Sequence, residues 1–126
     1  MAAVTRLLVA GIGLFNIAIG LMFLLNPAGA AGGFFLIPDG SQGMATLRAD
    51  FPGFFITGGS FALIGAVQKD ARALLVPLML LAIAIAGRGV SLLADGAPPT
   101  AFPPMVVEAV MILILLLARR SFGRAA

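Results

Sequence analysis

ARALLVPLMLLAIAIAGRGVSLLA, residues 71–94, decides how this chain is read. Its charges are Arg72 near one end and Arg88 near the other, and every other residue except Ser91 is apolar or glycine. A helix needs about 20 such residues to cross about 30 Å of hydrocarbon, so the block predicts a transmembrane helix. It opens after Asp70 and closes at Asp95-Gly96-Ala97-Pro98-Pro99, a turn signal through which no helix continues. Pro77 within it predicts a kink.

Three further apolar blocks lie on either side. Residues 4–25 stop at Asn26-Pro27, where the residue before proline is pushed out of the helical region. Residues 51–67 follow Asp50, with Pro52 expected in a first turn where its missing N–H costs little, and end at Gln68-Lys69-Asp70. Residues 104–118 start at Pro103-Pro104 and end in Arg119-Arg120, slightly short for a vertical span unless the arginines snorkel. The expected fold is all-α, an integral membrane bundle of four transmembrane helices forming one domain over residues 1–126. A cleaved signal peptide is the rival reading of the first block, with Arg6 as its basic start and Ala28-Gly29-Ala30 as its cleavage site. The apolar core is longer than the ~7 to 15 residues typical of such peptides, and Asn16 in its middle suits a packed helix better.

Between the first two spans, residues 26–50 are expected to form an outer connection. In it Phe34-Phe35-Leu36-Ile37 is too short to cross and is followed by a Pro38-Asp39-Gly40 turn. This segment is expected to lie on or dip into the membrane interface, packed over the bundle mouth or acting as a lid.

Composition agrees with a lipid solvent. A content of 61% hydrophobic against 10% charged residues and a mean hydropathy of +1.14 leave far more apolar surface than a soluble fold of 126 residues hides. The chain has no cysteine and no histidine, which removes disulfides, thiolate or imidazole catalysis and His/Cys metal sites. No catalytic residue, metal site or cofactor is assigned. Trp and Tyr are absent too, so any interfacial aromatic belt is made by Phe.

The charges sort by position. Arg6, Lys69, Arg72, Arg119, Arg120 and Arg124, with Asp70, fall at one end of a four-span chain and sum to +5. Arg48 and Arg88 with Asp39, Asp50, Asp95 and Glu108 fall at the other and sum to −2, giving the formal +3 of the whole. We call these the basic and acidic ends. The positive-inside rule makes the basic end, with both termini, cytoplasmic. Bases placed at span ends, with no basic stripe of interleaved aromatics, give no support to nucleic-acid binding.

A charge inside the hydrocarbon costs about 2.5 to 3.5 kcal/mol at the centre of a helix on insertion scales, so each one requires an account. Arg88 lies about 25 Å along its helix from Ala71, near the acidic end, and Glu108 about 6 Å below the start of the last span, so their depths match. Arg88, Ser91 and Asp95 share one helical face. Asp50, Gly53, Thr57 and Ser60 share a face of the second span, and Gly13, Asn16 and Gly20 a face of the first. The expected ligand-binding or buried ionic cluster is Arg48, Asp50, Arg88, Ser91, Asp95 and Glu108, with Asn16, Thr57 and Ser60 in support. A purely structural role, polar groups joining helices packed through small residues, stands beside a functional one. Buried pairs are poor stabilisers compared with apolar packing, which argues for function.

Leu47-Arg48-Ala49-Asp50-Phe51-Pro52-Gly53-Phe54, Gly87-Arg88-Gly89-Val90-Ser91-Leu92-Leu93-Ala94-Asp95-Gly96 and Glu108 together resemble the bacterial domain-of-unknown-function family 4345, small four-helix membrane proteins broadly similar to the DoxX-like group. The resemblance covers nearly the whole chain, with Arg48, Gly87-Arg88, Ser91, Asp95-Gly96 and Glu108 matching the family pattern. One departure is Pro52, where the family more often has glycine. The resemblance implies a multi-pass protein of the bacterial cytoplasmic (inner) membrane and supplies no reaction.

Three functions compete. The first is a binding or accessory protein whose cluster holds a lipid headgroup, a quinone-like ligand or a membrane partner protein through Arg48 and Arg88, alone or as a homo-oligomer. The second is a proton-coupled small-molecule carrier using Glu108. The small multidrug carriers, though, keep their glutamate in the first span, where this chain has only Asn16. An intramembrane enzyme using Asp50, Asp95 or Glu108 ranks last, since carboxylates without a nucleophile or metal signature give little specificity.

Overall fold

The structure, a computed structural model, describes residues 2–125. Among these the secondary structure is all helical, joined by short turns and without strands. The helices are α1 (Ala2–Leu25), α2 (Pro27–Gly32), α3 (Gly40–Gln68), α4 (Leu75–Ala94) and α5 (Phe102–Ala125), with a 3-10 turn at Pro99–Ala101 leading into α5. Four of them, α1, α3, α4 and α5 with its 3-10 turn, are long and apolar enough to cross a membrane, as expected of a multi-pass membrane protein.

The tightest helix pair is α1 with α3, running antiparallel. Gly13 and Gly59 make it possible: a Cβ added to Gly59 would lie 2.5 Å from the Gly13 carbonyl oxygen, and one added to Gly13 would lie 2.8 Å from the Gly59 carbonyl oxygen. Two backbones therefore touch with nothing between them, the usual means by which helices associate where no hydrophobic effect drives them together. The buried stripe of α3 is Gly58, Gly59, Ala62, Gly65 and Ala66. This corrects the expectation that Asp50, Gly53, Thr57 and Ser60 face the interior, since Asp50, Gly53 and Thr57 are exposed and Ser60 is half-buried. The glycine-alanine stripe approaches α1 more closely, and the polar stripe is turned away from it.

The packed core has two unequal parts. The larger gathers all four long helices around Val9, Ala62, Leu74, Leu81, Leu115 and Phe122, towards the basic end. The smaller, towards the acidic end, is built only by α1, α2 and α3: Phe23 packs with Ala30, Ala31 and Leu47, and Phe34, Phe51 and Phe55 lie against it. Phe23 sits 4.6 Å from Phe51 and 5.0 Å from Phe34 between ring centroids, within the range of favourable aromatic pairs. No residue of α4 or α5 joins that second part. The bundle is thus knit together at its basic end, while the acidic-end halves of α4 and α5 pack on each other. Along the inward stripe of α4 burial falls accordingly, from Leu78 and Leu81 at 8% and 5% exposure to the Arg88 side chain at 38% and then exposed Asp95.

Arginines at the helix ends do more than mark topology. The Arg6 Nε donates to the Ala66 carbonyl at 2.8 Å and its Nη2 to the Val67 carbonyl at 3.2 Å, so the start of α1 satisfies carbonyls that the end of α3 leaves free. Arg119 Nε donates to the Ala71 carbonyl at 3.1 Å and ties α5 to the α3–α4 turn. Removing the donor while keeping the apolar stem, in Arg6→Met, is expected to lower stability by about 1.5 to 3 kcal/mol, the scale of a hydrogen bond from a charged group. Thermal unfolding in detergent measures it.

Several boundaries differ from the expectation. The helix bearing the second span begins at Gly40, not Phe51, so the connection shrinks to α2 and the stretch around Phe34–Asp39. Pro52 consequently lies inside α3 and is buried, not in a first turn, and it cannot donate to the Arg48 carbonyl. Pro77 does the reverse: residues 71–74 form a turn, α4 begins at Leu75, and Pro77 falls in its first turn, where no kink is required. The last helix continues through Arg119 and Arg120 to Ala125, so it is not short. In the connection Phe34 packs inward, while Phe35, in the left-handed region at φ 58°, and Ile37 are exposed.

Candidate functional site

Glu108 is the outermost member of the buried stripe of α5, which runs Glu108, Met111, Leu115, Ala118 and Phe122 at steps of three and four residues. Arg88 continues the inward stripe of α4 above Leu78 and Leu81. Two antiparallel helices carrying these stripes bring the residues level. Arg88 Nε lies 2.9 Å from Glu108 Oε1 and 3.1 Å from Oε2, and its N–H aligns with Oε2 to make the hydrogen bond. Oε1 is buried and accepts no hydrogen bond.

The pair is unequally sheltered, with the glutamate side chain 12% exposed and the arginine 38%. Nε is the only nitrogen of Arg88 that donates to the protein among the described residues. Its two terminal nitrogens, with four N–H bonds between them, make no such contact. The two helices that carry the pair also expose apolar side chains, among them Val90, Leu93, Val106 and Val107. A long arginine stem allows the guanidinium to reach towards the polar boundary of the membrane.

One turn below Glu108, Met111 meets Asn16, the other buried polar residue among the described residues. Asn16 Nδ2 donates to the Ile12 carbonyl at 2.9 Å and approaches the Met111 sulfur at 3.6 Å. A void of about 10 Å³ between Asn16, Phe54, Gly58, Pro77, Leu80 and Leu81 lies beside it, room for one water. Sequence reading placed Asn16 on an interior face and missed its link to α5, because a methionine carries no polar signal.

The rest of the expected cluster does not assemble. Arg48 turns to the end of α1, its Nε donating to the Leu24 carbonyl at 3.2 Å. That carbonyl belongs to the last turn of a helix and has no intrahelical donor, which makes it a good acceptor for a cation. Asp50, Ser91 and Asp95 are exposed and make no side-chain hydrogen bond or ion pair among the described residues, and Thr57 is exposed. No group of three or more Asp or Glu gathers as a metal site among the described residues. The arginine-to-carbonyl contacts were legible only as a general tendency of cations to favour helix C-termini.

Chemically, the pair presents guanidinium N–H donors whose charge is balanced from beneath by a buried carboxylate. Such donors can bind a hydrogen-bond acceptor. Comparison with protein-family models, curated proteins and solved structures gives no match.

Proposed function

We propose that this is a binding or accessory protein of a bacterial cytoplasmic membrane, with both termini cytoplasmic and its site, Arg88 held by Glu108, near the outer face. The observation that carries the reading is the half-used guanidinium: Nε is spent on Glu108, and the terminal nitrogens of a side chain 38% exposed have no protein partner among the described residues. Because Glu108 already balances the charge, these donors suit an uncharged oxygen acceptor on an amphipathic molecule, a quinone-like carbonyl or a lipid ester, better than a free anion. A membrane partner offering a carbonyl at that depth meets the same donors. The orientation rests on the positive-inside rule, and the resemblance to family 4345 agrees with the membrane assignment without adding a reaction.

Native mass spectrometry of gently solubilised protein tests this against Arg88→Gln/Glu108→Gln, which removes both charges and leaves two neutral amides in their place. A bound amphipath or partner is expected on the wild type and lost from the folded double variant. Equal retention by both, or a bare wild type, contradicts it. A second reading, proton-coupled transport through Glu108, draws on the buried Oε1 that accepts no hydrogen bond. Proton-driven flux in liposomes, lost in Glu108→Gln, is the result that supports it.

A further inference from the structure

The basic end carries a second, differently built feature. On α5, Leu113, Leu116 and Leu117 are each about half exposed. With Arg119 and Arg120 just below, they line an open groove of about 550 Å³ along the helix surface. Leu113, Leu116, Leu117 and Arg120 follow at i, i+3, i+4 and i+7, so one helical face runs from apolar to cationic as it leaves the hydrocarbon.

Arg119 and Arg120 divide their work. Arg119 is held by its bond to the Ala71 carbonyl, which brings the α3–α4 turn against the end of α5. Arg120 is exposed and makes no ion pair or side-chain hydrogen bond among the described residues. The bond at Arg119 also brings Lys69 and Arg72, both exposed, to the same end as Arg120 and Arg124. Asp70 is the sole acid on this side, and its Oδ1 accepts from the Arg72 backbone N–H at 2.8 Å. In contrast to the balanced pair at the acidic end, this surface has a net positive charge that Asp70 alone offsets only in small part.

We infer that the groove is a site for an anionic phospholipid of the leaflet at the basic end. An acyl chain lies along Leu113, Leu116 and Leu117, and the phosphate is received by Arg120 with its basic neighbours. A soluble phosphate would meet the arginines and make no use of the leucines. A zwitterionic lipid would fill the groove and gain little from the excess charge. Clustered bases just outside a membrane span attract anionic headgroups by about 1 kcal/mol each.

The test is native mass spectrometry of protein released from nanodiscs of equal parts phosphatidylcholine and phosphatidylglycerol with matched chains. The Arg88→Gln/Glu108→Gln background keeps the other site out of the measurement. Phosphatidylglycerol is expected to be retained over phosphatidylcholine, and Arg120→Gln to cut that preference about fivefold, the equivalent of one lost phosphate contact. Arg48→Gln, at the other end, leaves it unchanged. Equal retention of the two lipids, or a preference untouched by Arg120→Gln, overturns the assignment. Displacement of the bound lipid by soluble glycerol 3-phosphate also overturns it, in favour of a free-phosphate site.

Discussion

Gly59→Leu is expected to cost about 3 kcal/mol or more, beyond the usual range for overpacking, and to separate α1 from α3. A Cβ there meets the Gly13 carbonyl oxygen at 2.5 Å, the Ile17 Cγ1 at 2.7 Å and the Ile17 backbone nitrogen at 2.9 Å. Two of these three are backbone atoms of a helix, which cannot swing aside as a side chain would. Relief requires the helices to move apart, and that opens the contact on which the buried stripe Gly58, Gly59, Ala62, Gly65 and Ala66 depends. Gly53→Leu is the matched control, since an added Cβ at Gly53 meets nothing within 4 Å and the position is exposed. Thermal unfolding followed by circular dichroism should find the first variant severely destabilised and the second close to wild type.

Arg88→Leu is expected to cost about 3 kcal/mol, the lower end of what is seen when one member of a buried ion pair is removed. The loss comes from Glu108, left buried with a charge and no partner. Water reaching the 38%-exposed arginine position keeps the figure at the lower end. Glu108→Gln should cost much less, under about 1 kcal/mol, because Arg88 is already half exposed and its flexible stem lets it reach the membrane boundary. Arg88→Gln/Glu108→Gln should lie near the wild type. This order, Arg88→Leu well below Glu108→Gln and the double variant, follows from unequal burial. Equal losses in the two single variants would mean that both charges are equally sheltered.

How far the sequence foretold this structure differs from element to element. Apolar blocks of spanning length announce four helices, because lipid tolerates little else and the blocks carry no competing signal. The Arg88–Glu108 pair was legible from helical rise alone: two charges at one depth on neighbouring antiparallel spans have few other partners. The start of α3 was not. Gly40 to Asp50 is polar and carries no apolar period, so it read as loop, yet it extends a helix of 29 residues, about 43 Å long and longer than the hydrocarbon is thick. That extension also exchanged the roles of the two prolines, placing Pro52 within a helix, while the turn at residues 71–74 left Pro77 near the start of one. Nor could sequence rank the two small or polar stripes of α3. The choice depends on where Gly13 of α1 comes to lie, a tertiary fact with no local trace. Arg48 was assigned to the cluster because it falls among the charges of the acidic end and matches the family pattern, and the free carbonyl of Leu24 claims it instead.

The claim on which the functional reading rests is that the open, acidic end of the bundle faces the outside and the basic end the cytoplasm. The chain has no cysteine, so single cysteines report without background. Asp95→Cys and Arg124→Cys, both at exposed positions, are to be labelled with a membrane-impermeant maleimide in intact expressing cells and again after lysis. The account predicts that Asp95→Cys is labelled in intact cells and that Arg124→Cys is labelled only after lysis. Labelling of Arg124→Cys in intact cells, with Asp95→Cys protected until lysis, would place the Arg88–Glu108 pair at the cytoplasmic face and contradict it.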